Sequence, residues 1–389
     1  MKALHVITGL GVGGAEQQLR LLLRHLPVRC DVVTLTNPGA VADALRADGV
    51  RVRNLGMTSN RDLGALPRLA RIIRRGSYDL VHTHLYRACV YGRIAARLAG
   101  TTVLSTEHSL GRAEIEGRPL TRGTRELYLR TERLGAATVA VSDTVAGRLR
   151  DWGVPAARIH TVPNGIDVAA FRFDSARRHA TRARLGIPRT AFVVGGVGRL
   201  VPGKRFDLLI RAVADLPGAW LVLAGDGPEA VALRALAARL GVTGRVRFLG
   251  ECGASGDAGD ADAPPGVPAV LGAVDTFVSA SREESFGLAV VEALAAGLPV
   301  VHAACPAIDD LPQGRVPGTT RIGSDGGDPT AELTAALRHR MECGARRLPP
   351  PRAVDHYDIR SSSRRLMDVY AQTIDTASAT VPSTERAPL

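Results

Sequence analysis

The chain has 389 residues, 45% of them hydrophobic and 23% charged, enough for two hydrophobic cores rather than one. It has no run of 18 uninterrupted apolar residues, which excludes an obvious membrane-spanning helix. The formal charge of +12 is uneven, residues 1–185 holding 29 Lys/Arg against 15 Asp/Glu and the remainder 21 against 23. With only 4% aromatics and no zinc-finger spacing, little is available for base stacking, and nucleic acid is not an expected partner.

The opening MKALHVITGLGVGG reads as a strand and a glycine turn, not as a signal peptide. Five scattered cysteines form neither a metal spacing nor an even-numbered disulfide framework. A cytoplasmic protein is the expectation, with peripheral attachment to the inner face of the cell membrane as an option. Strands are predicted over Ala3–Thr8, Asp31–Leu35, Val50–Leu55, Asp79–His82, Thr102–Thr106 and Ala137–Val141, alternating with helices over Ala15–Leu26, Ala40–Ala47, Asp62–Arg74, Arg87–Leu98, Thr121–Leu134 and Asp143–Asp151. Arg68, Arg71, Arg74 and Arg75, set around Leu69, Ile72 and Ile73, leave two readings open. One is a helix lying on an anionic membrane, the other a solvated helix with its apolar stripe buried.

A second cycle follows an arginine-rich stretch near 172–189. Its strands are predicted over Ala191–Val197, Ala219–Ala224, Arg245–Leu249, Thr276–Ser279 and Pro299–His302. Its helices are predicted over Phe206–Ala214, Glu229–Leu240, Val267–Leu271, Phe286–Ala296 and Pro329–Met341. The expected architecture is α/β, with two Rossmann-like domains facing a central cleft. The expected boundaries are 1–168 and 169–352. A crossover helix at 353–375 returns to the first domain, and 376–389 is a disordered tail. Gly253–Pro268 reads as a flexible acidic insertion.

Four local features converge on an anion site. Gly13 and Gly14 open the first helix, where a ligand can approach bare backbone. Gly9, Gly11 and Gly14 match a dinucleotide spacing, but the second strand ends Leu35-Thr36-Asn37 without the carboxylate that would hold a ribose, which disfavours an oxidoreductase. Lys204 is one of only two lysines, the other being Lys2, among 48 arginines; with Arg199 it stands in Gly198-Arg199-Leu200-Val201-Pro202-Gly203-Lys204 after a strand. Gly225-Asp226-Gly227-Pro228 is a tight turn opening a helix, with good turn chemistry as its plain alternative. Finally, Glu284 and Glu292 flank Ser285-Phe286-Gly287-Leu288, whose leading N–H groups suit phosphate oxygens.

These motifs resemble the retaining glycosyltransferases of family 4, of the GT-B fold, across nearly the whole chain. The resemblance rests on GGAE at 13–16, His108, VPNGID at 162–167, GR-x4-K at 198–204, GDGP at 225–228, FLG at 248–250 and the Glu284/Glu292 pair. It implies a nucleoside-diphosphate sugar donor, UDP- or GDP-linked, no tightly bound cofactor and no catalytic metal. By the same resemblance Arg199 and Lys204 hold the diphosphate, Glu292 the ribose and Glu284 the sugar hydroxyls, with backbone at Phe286, Gly287 and Leu288 assisting the phosphates. Gly13, Gly14, Gly227, Phe248, Leu249 and Ser285 complete the implied binding set, and His108 approaches the sugar from the first domain. Many relatives read EGFG where this chain has Glu284-Ser285-Phe286-Gly287, and its residues 302–310 depart from their glycine-rich loop.

The implied reaction moves a hexose or N-acetylhexosamine to a hydroxyl acceptor by front-face attack, the leaving phosphate taking the proton. The acceptor is a polysaccharide, glycolipid or natural-product precursor, with anionic and lipid-linked forms open; Arg112, Arg118 and Arg122 would suit an anionic one. Asp260-Ala261-Asp262 has a metal-binding spacing, but it lies in the insertion and carries little weight. A hydrolase, epimerase or phosphorylase of the same layout, or a noncatalytic carbohydrate- or lipid-binding protein, is the competing reading. The last would not need Lys204, Glu284 and Glu292 together.

Overall fold

The computed structural model describes residues 1–116, 118–253, 264–311, 316–323, 327–344 and 346–379, with side chains to 375. It divides into two compact units, Met1–Gly165 with Ile359 onward, and Ile166–Asp358.

The first unit alternates strand and helix. Its elements are β1 (Lys2–Ile7), α1 (Gly14–Leu23), β2 (Arg29–Thr34), α2 (Gly39–Ala47), β3 (Arg51–Asn54), α3 (Ala65–Gly76), β4 (Leu80–His84) and α4 (Tyr86–Ala99). They continue with β5 (Thr102–Glu107), the hairpin β6 (Glu114–Ile115) and β7 (Arg118–Pro119), α5 (Arg122–Glu132), β8 (Ala137–Ala140), α6 (Asp143–Trp152) and β9 (Ile159–Thr161). Seven strands pair in the order β3-β2-β1-β4-β5-β8-β9, every ladder parallel. Because side chains alternate across a strand, β1 sends Ala3 and Ile7 into one core layer and Leu4 and Val6 into the other.

The second unit contains α7 (Ser175–Arg184), β10 (Val193–Val197), α8 (Phe206–Ala214), β11 (Trp220–Ala224), α9 (Ala230–Arg239), β12 (Val246–Phe248), α10 (Val267–Ala273), β13 (Thr276–Ser279) and α11 (Leu288–Ala295). It ends with β14 (Val300–His302), α12 (Pro306–Asp309), β15 (Thr319–Arg321), α13 (Pro329–Glu342) and α14 (Ala353–His356). Its six-stranded sheet, β12-β11-β10-β13-β14-β15, is again wholly parallel. The last helix, α15 (Ile359–Ala379), belongs to the first unit, where Leu366, Val369 and Tyr370 enter the layer that holds Ile7 and Leu104.

Several expectations are adjusted. The short strands β9 and β15 and the β6–β7 hairpin went unread, and α15 runs four residues past the expected boundary at 375; 380–389 lie outside the described residues. Most of the expected acidic insertion, with Asp260-Ala261-Asp262, also lies outside them. The helix expected to open at Phe286 opens at Leu288, because Gly287 adopts φ 100° and breaks the helical path. On α3 the apolar stripe is buried, Leu69 and Ile73 being wholly inaccessible, while Arg68, Arg71, Arg74 and Arg75 are exposed. The apolar residues of that stripe therefore serve the core, not a bilayer. No helix among the described residues is long and apolar enough to cross a membrane.

One buried charge cluster anchors the second unit. Asp275 pairs with Arg178 and Arg182 and accepts from Val193 N at 2.8 Å; Arg182, 1% exposed, also donates to the carbonyls of Ala273, Arg189 and Ala191. These bonds tie α7 to the start of β10 and the end of α10. Removing one partner strands the other charge in a dry interior, which costs far more than the pair contributes. Asp275→Ala should lower the stability of this unit by about 3–5 kcal/mol in urea unfolding. The exposed Arg130→Ala, which breaks only a surface pair with Glu126, should cost well under ~1 kcal/mol.

Candidate active site

Strand order locates the second unit's site. From β10 the chain steps through β11 to β12 at one edge, then returns through β13 to β14 and β15 on the other side. Loops leaving the carboxyl ends of β10 and β13 therefore diverge and leave a crevice between them, the place where open α/β sheets hold ligands. The β10 loop carries Arg199 and Lys204, and the β13 loop carries Glu284. The structure brings these loops together: Lys204 Nζ is ion-paired with a Glu284 carboxylate oxygen, and Arg282 N donates to Gly203 O at 3.0 Å. Lys204 and Glu284 are half-buried and Arg199 is exposed.

The glycines of this region are spacers between backbones. A Cβ on Gly225 would lie 2.0 Å from Gly198 O, and one on Gly227 would lie 2.4 Å from Leu200 O. Leu200 N donates to Asp226 O at 2.9 Å, and Glu229 N donates to Leu200 O at 3.0 Å. GDGP is thus the clamp that fixes the Arg199 loop. Neighbouring motif residues are likewise engaged: Leu249 N donates to Leu223 O, and the Phe248 ring lies 4.5 Å beneath the Arg234 guanidinium. Gly287 has the same spacing role, since a Cβ there would sit 2.5 Å from the Cys305 sulfur. Its left-handed turn leaves Ser285 and Phe286 ahead of α11 and makes Leu288 the first helical residue.

In the first unit the switch point falls between β1 and β4, so the Gly9–Gly14 turn and the N-terminus of α1 stand at its crevice. Gly13 caps α1 in an extended conformation and Gly14 is the first helical residue. His108 follows β5 and lines a cavity of about 30 Å³ with His84, Gln18, Thr106, Asn164 and Ser362. Oriented by its partners, the Gln18 amide donates to Gly165 O at 2.8 Å and accepts from Gly165 N at 3.1 Å, joining α1 to the VPNGID turn.

His108 is not alone. His5, His82 and His84 share the α1- and α15-covered face of the sheet, and their nitrogens lie within 4.8 Å of one another, a spacing that could hold a metal ion. Sequence reasoning missed these three. The signal was period-two alternation: His82 and His84 are two apart on β4, and register sets His5 opposite His82.

Glu292 sits on α11, half-buried, and burial pushes its carboxyl up to about 7. Its folded value thus exceeds the ordinary one, so between pH 4.5 and about 7 the folded protein binds the extra proton. Stability from this group is complete below the unfolded pKa and is lost as pH rises through the folded one. Glu292→Gln, which mimics the protonated acid, should show a smaller loss of stability than the parent between pH 5 and 8, read by urea unfolding at each pH.

Comparisons with known proteins bear on the family and the fold. The Glycosyltransferase Family 4 model matches residues 12–170, and the Glycosyl transferases group 1 model matches 177–312. The D-inositol 3-phosphate glycosyltransferase of Salinispora arenicola is 32% identical over 77% of this chain and 72% of its own length. That of Salinispora tropica is 32% identical over 77% of this chain, which spans 65% of that relative's length. Among solved structures, Anabaena HepE in complex with UDP and glucose superposes with a TM-score of 0.81 at 23% identity, covering 96% of this chain and 100% of that one. Sucrose-phosphate synthase from Thermosynechococcus elongatus gives 0.73 at 19% identity, covering 97% and 100%. Two Rossmann-like units with wholly parallel sheets, and a last helix returning to the first, are the GT-B fold, and the chain belongs to the GT-B glycosyltransferases related to family 4.

Proposed function

We propose that this enzyme transfers a hexose or N-acetylhexosamine from a nucleoside-diphosphate sugar to a hydroxyl acceptor, with retention at the anomeric carbon. The observation that carries the reading is the Lys204–Glu284 pair at the second unit's switch point, with Arg199 exposed on the same loop as Lys204. Departure of a diphosphate concentrates negative charge on its oxygens. A fixed ammonium and guanidinium stabilise that charge without reorganising at the moment of reaction. In the free protein Glu284 neutralises Lys204. On donor binding the ammonium turns to the diphosphate, and Glu284 is released to accept from sugar hydroxyls.

Glu292 is the proposed ribose contact, and the backbone at Phe286, Gly287 and Leu288 is proposed to assist the phosphates. His108 is the proposed hydrogen-bonding and orienting group for the sugar. Support for the donor class comes from the Anabaena HepE structures with UDP, with UDP and glucose, and with UDP-glucose. The inositol-phosphate relatives support an anionic acceptor, for which Arg112, Arg118 and Arg122 supply positive charge. Peripheral contact with an anionic membrane rests on the exposed arginines of α3 alone, since Leu69 and Ile73 are buried and Ile72 is half-buried.

Lys204→Ala should cut turnover at least about 100-fold, as loss of one preorganised charge-stabilising group does. Nucleotide release from a panel of UDP- and GDP-sugars, with and without acceptor, is the measurement. Full turnover in the variant would remove the diphosphate assignment, and release that never depends on an acceptor would favour a hydrolase.

A further inference from the structure

The peptide between Phe286 and Gly287 is gripped by its carbonyl. Phe286 O accepts from Ala307 N at 2.9 Å and from Cys305 Sγ at 3.6 Å, both on the segment that follows β14. Burial, and after it the nearby Glu284 carboxylate, push the Cys305 thiol up, so it keeps its proton and can donate. In a trans peptide the C=O and N–H point in opposite directions, and no cis peptide occurs among the described residues. Holding the Phe286 carbonyl from the β14 side therefore turns the Gly287 N–H away from that side. The strand on the other side of β13 is β10, whose loop carries Lys204.

Ala307 needs support of its own. It belongs to α12, a helix of only four residues, whose last carbonyls have no donor within the helix. Ala307 O is satisfied from outside: Tyr357 Oη donates to it at 2.7 Å. One residue thus has its N–H on Phe286 and its C=O on Tyr357. The Tyr357 ring also meets the Phe286 ring edge-on, with centroids 5.1 Å apart at 89°. Tyr357 therefore holds the turn twice, directly through its ring and indirectly through Ala307.

Tyr357 is itself fixed. It is 4% exposed, its N donates to Val354 O at 3.0 Å, and its O accepts from Ile166 N at 2.8 Å. Phenylalanine would fill the same space against Phe286. What the tyrosine adds is the hydroxyl, and that bond ends on Ala307.

We propose that Tyr357 is a positioning residue for the donor diphosphate: through Ala307 it locks the Phe286–Gly287 peptide so that Gly287 N–H faces the phosphates. The inference rests on the transferase reading and deepens it, naming the side chain that aims one of its proposed backbone donors.

The test is competitive inhibition by the nucleoside diphosphate of the accepted donor and by the matching nucleoside, in the parent, Tyr357→Phe, Lys204→Ala and Tyr78→Phe. Tyr78 is a control for general loosening, since it too is buried and loses one hydroxyl bond, to Asp31 at 2.6 Å, but in the first unit. Tyr357→Phe should raise Ki for the diphosphate about 10-fold, the effect of one hydrogen bond to a charged group, and leave Ki for the nucleoside and KM for the acceptor unchanged. Tyr78→Phe should change none of them. Equal shifts for diphosphate and nucleoside in Tyr357→Phe, no shift in either, or the same diphosphate loss in Tyr78→Phe would each overturn the proposal. If Lys204→Ala weakens the diphosphate and Tyr357→Phe does not, this inference falls alone; if neither does, the diphosphate site falls with it. A crystal structure of the parent with the diphosphate bound keeps the question open to measurement should a variant fail to fold. Gly287 N is expected within hydrogen-bonding distance of a phosphate oxygen, and a Gly287 N–H directed elsewhere would overturn the proposal.

Discussion

The site depends on a constraint set before any side chain is chosen: a parallel sheet whose strand order reverses must part its loops at the point of reversal. In the second unit this happens between β10 and β13, and the Lys204–Glu284 ion pair closes the resulting crevice. An ammonium and a carboxylate contributed by two diverging loops have little reason to meet for stability alone, since half-exposed pairs contribute about 0–1 kcal/mol. In the proposed reading the pair is two ligand-binding groups resting on each other. The proposed donor offers each a stronger partner, phosphate oxygens for one and sugar hydroxyls for the other.

The surrounding glycines keep that arrangement in register. Gly225 and Gly227 let the GDGP turn lie directly on the backbone of Gly198 and Leu200, and Gly287 lets the β13 loop pass the Cys305 sulfur. The contacts at Gly225 and Gly227 are backbone against backbone and cannot be relieved by a rotamer change, while at Gly287 the φ of 100° itself strains any side chain. The charge cluster at Asp275 does similar work lower down, fixing the start of β10, the strand whose far end leads into the Arg199 loop.

Much of this was legible from residue order. Apolar runs separated by glycine turns marked the parallel sheets, and the lone internal lysine and the Glu284/Glu292 spacing marked the loops. What stayed hidden was set by pairing across the chain. GDGP looked like a possible ligand turn because its partner, the Gly198–Leu200 backbone, is distant in sequence. Phe286 looked like the start of a helix because the left-handed φ of Gly287 follows from packing against Cys305. His5, His82 and His84 looked like separate residues until register set them on one face beside His108. The arginines of α3 left two readings open that only burial of Leu69 and Ile73 could separate.

The central claim is that an anionic leaving group sits at the β10–β13 crevice, held by the guanidinium and ammonium there. A crystal structure with a nucleoside diphosphate bound tests it most directly. The account predicts diphosphate oxygens within hydrogen-bonding distance of Lys204 Nζ and the Arg199 guanidinium, with the Lys204–Glu284 pair opened. A nucleotide seated elsewhere, with that pair intact, would contradict it.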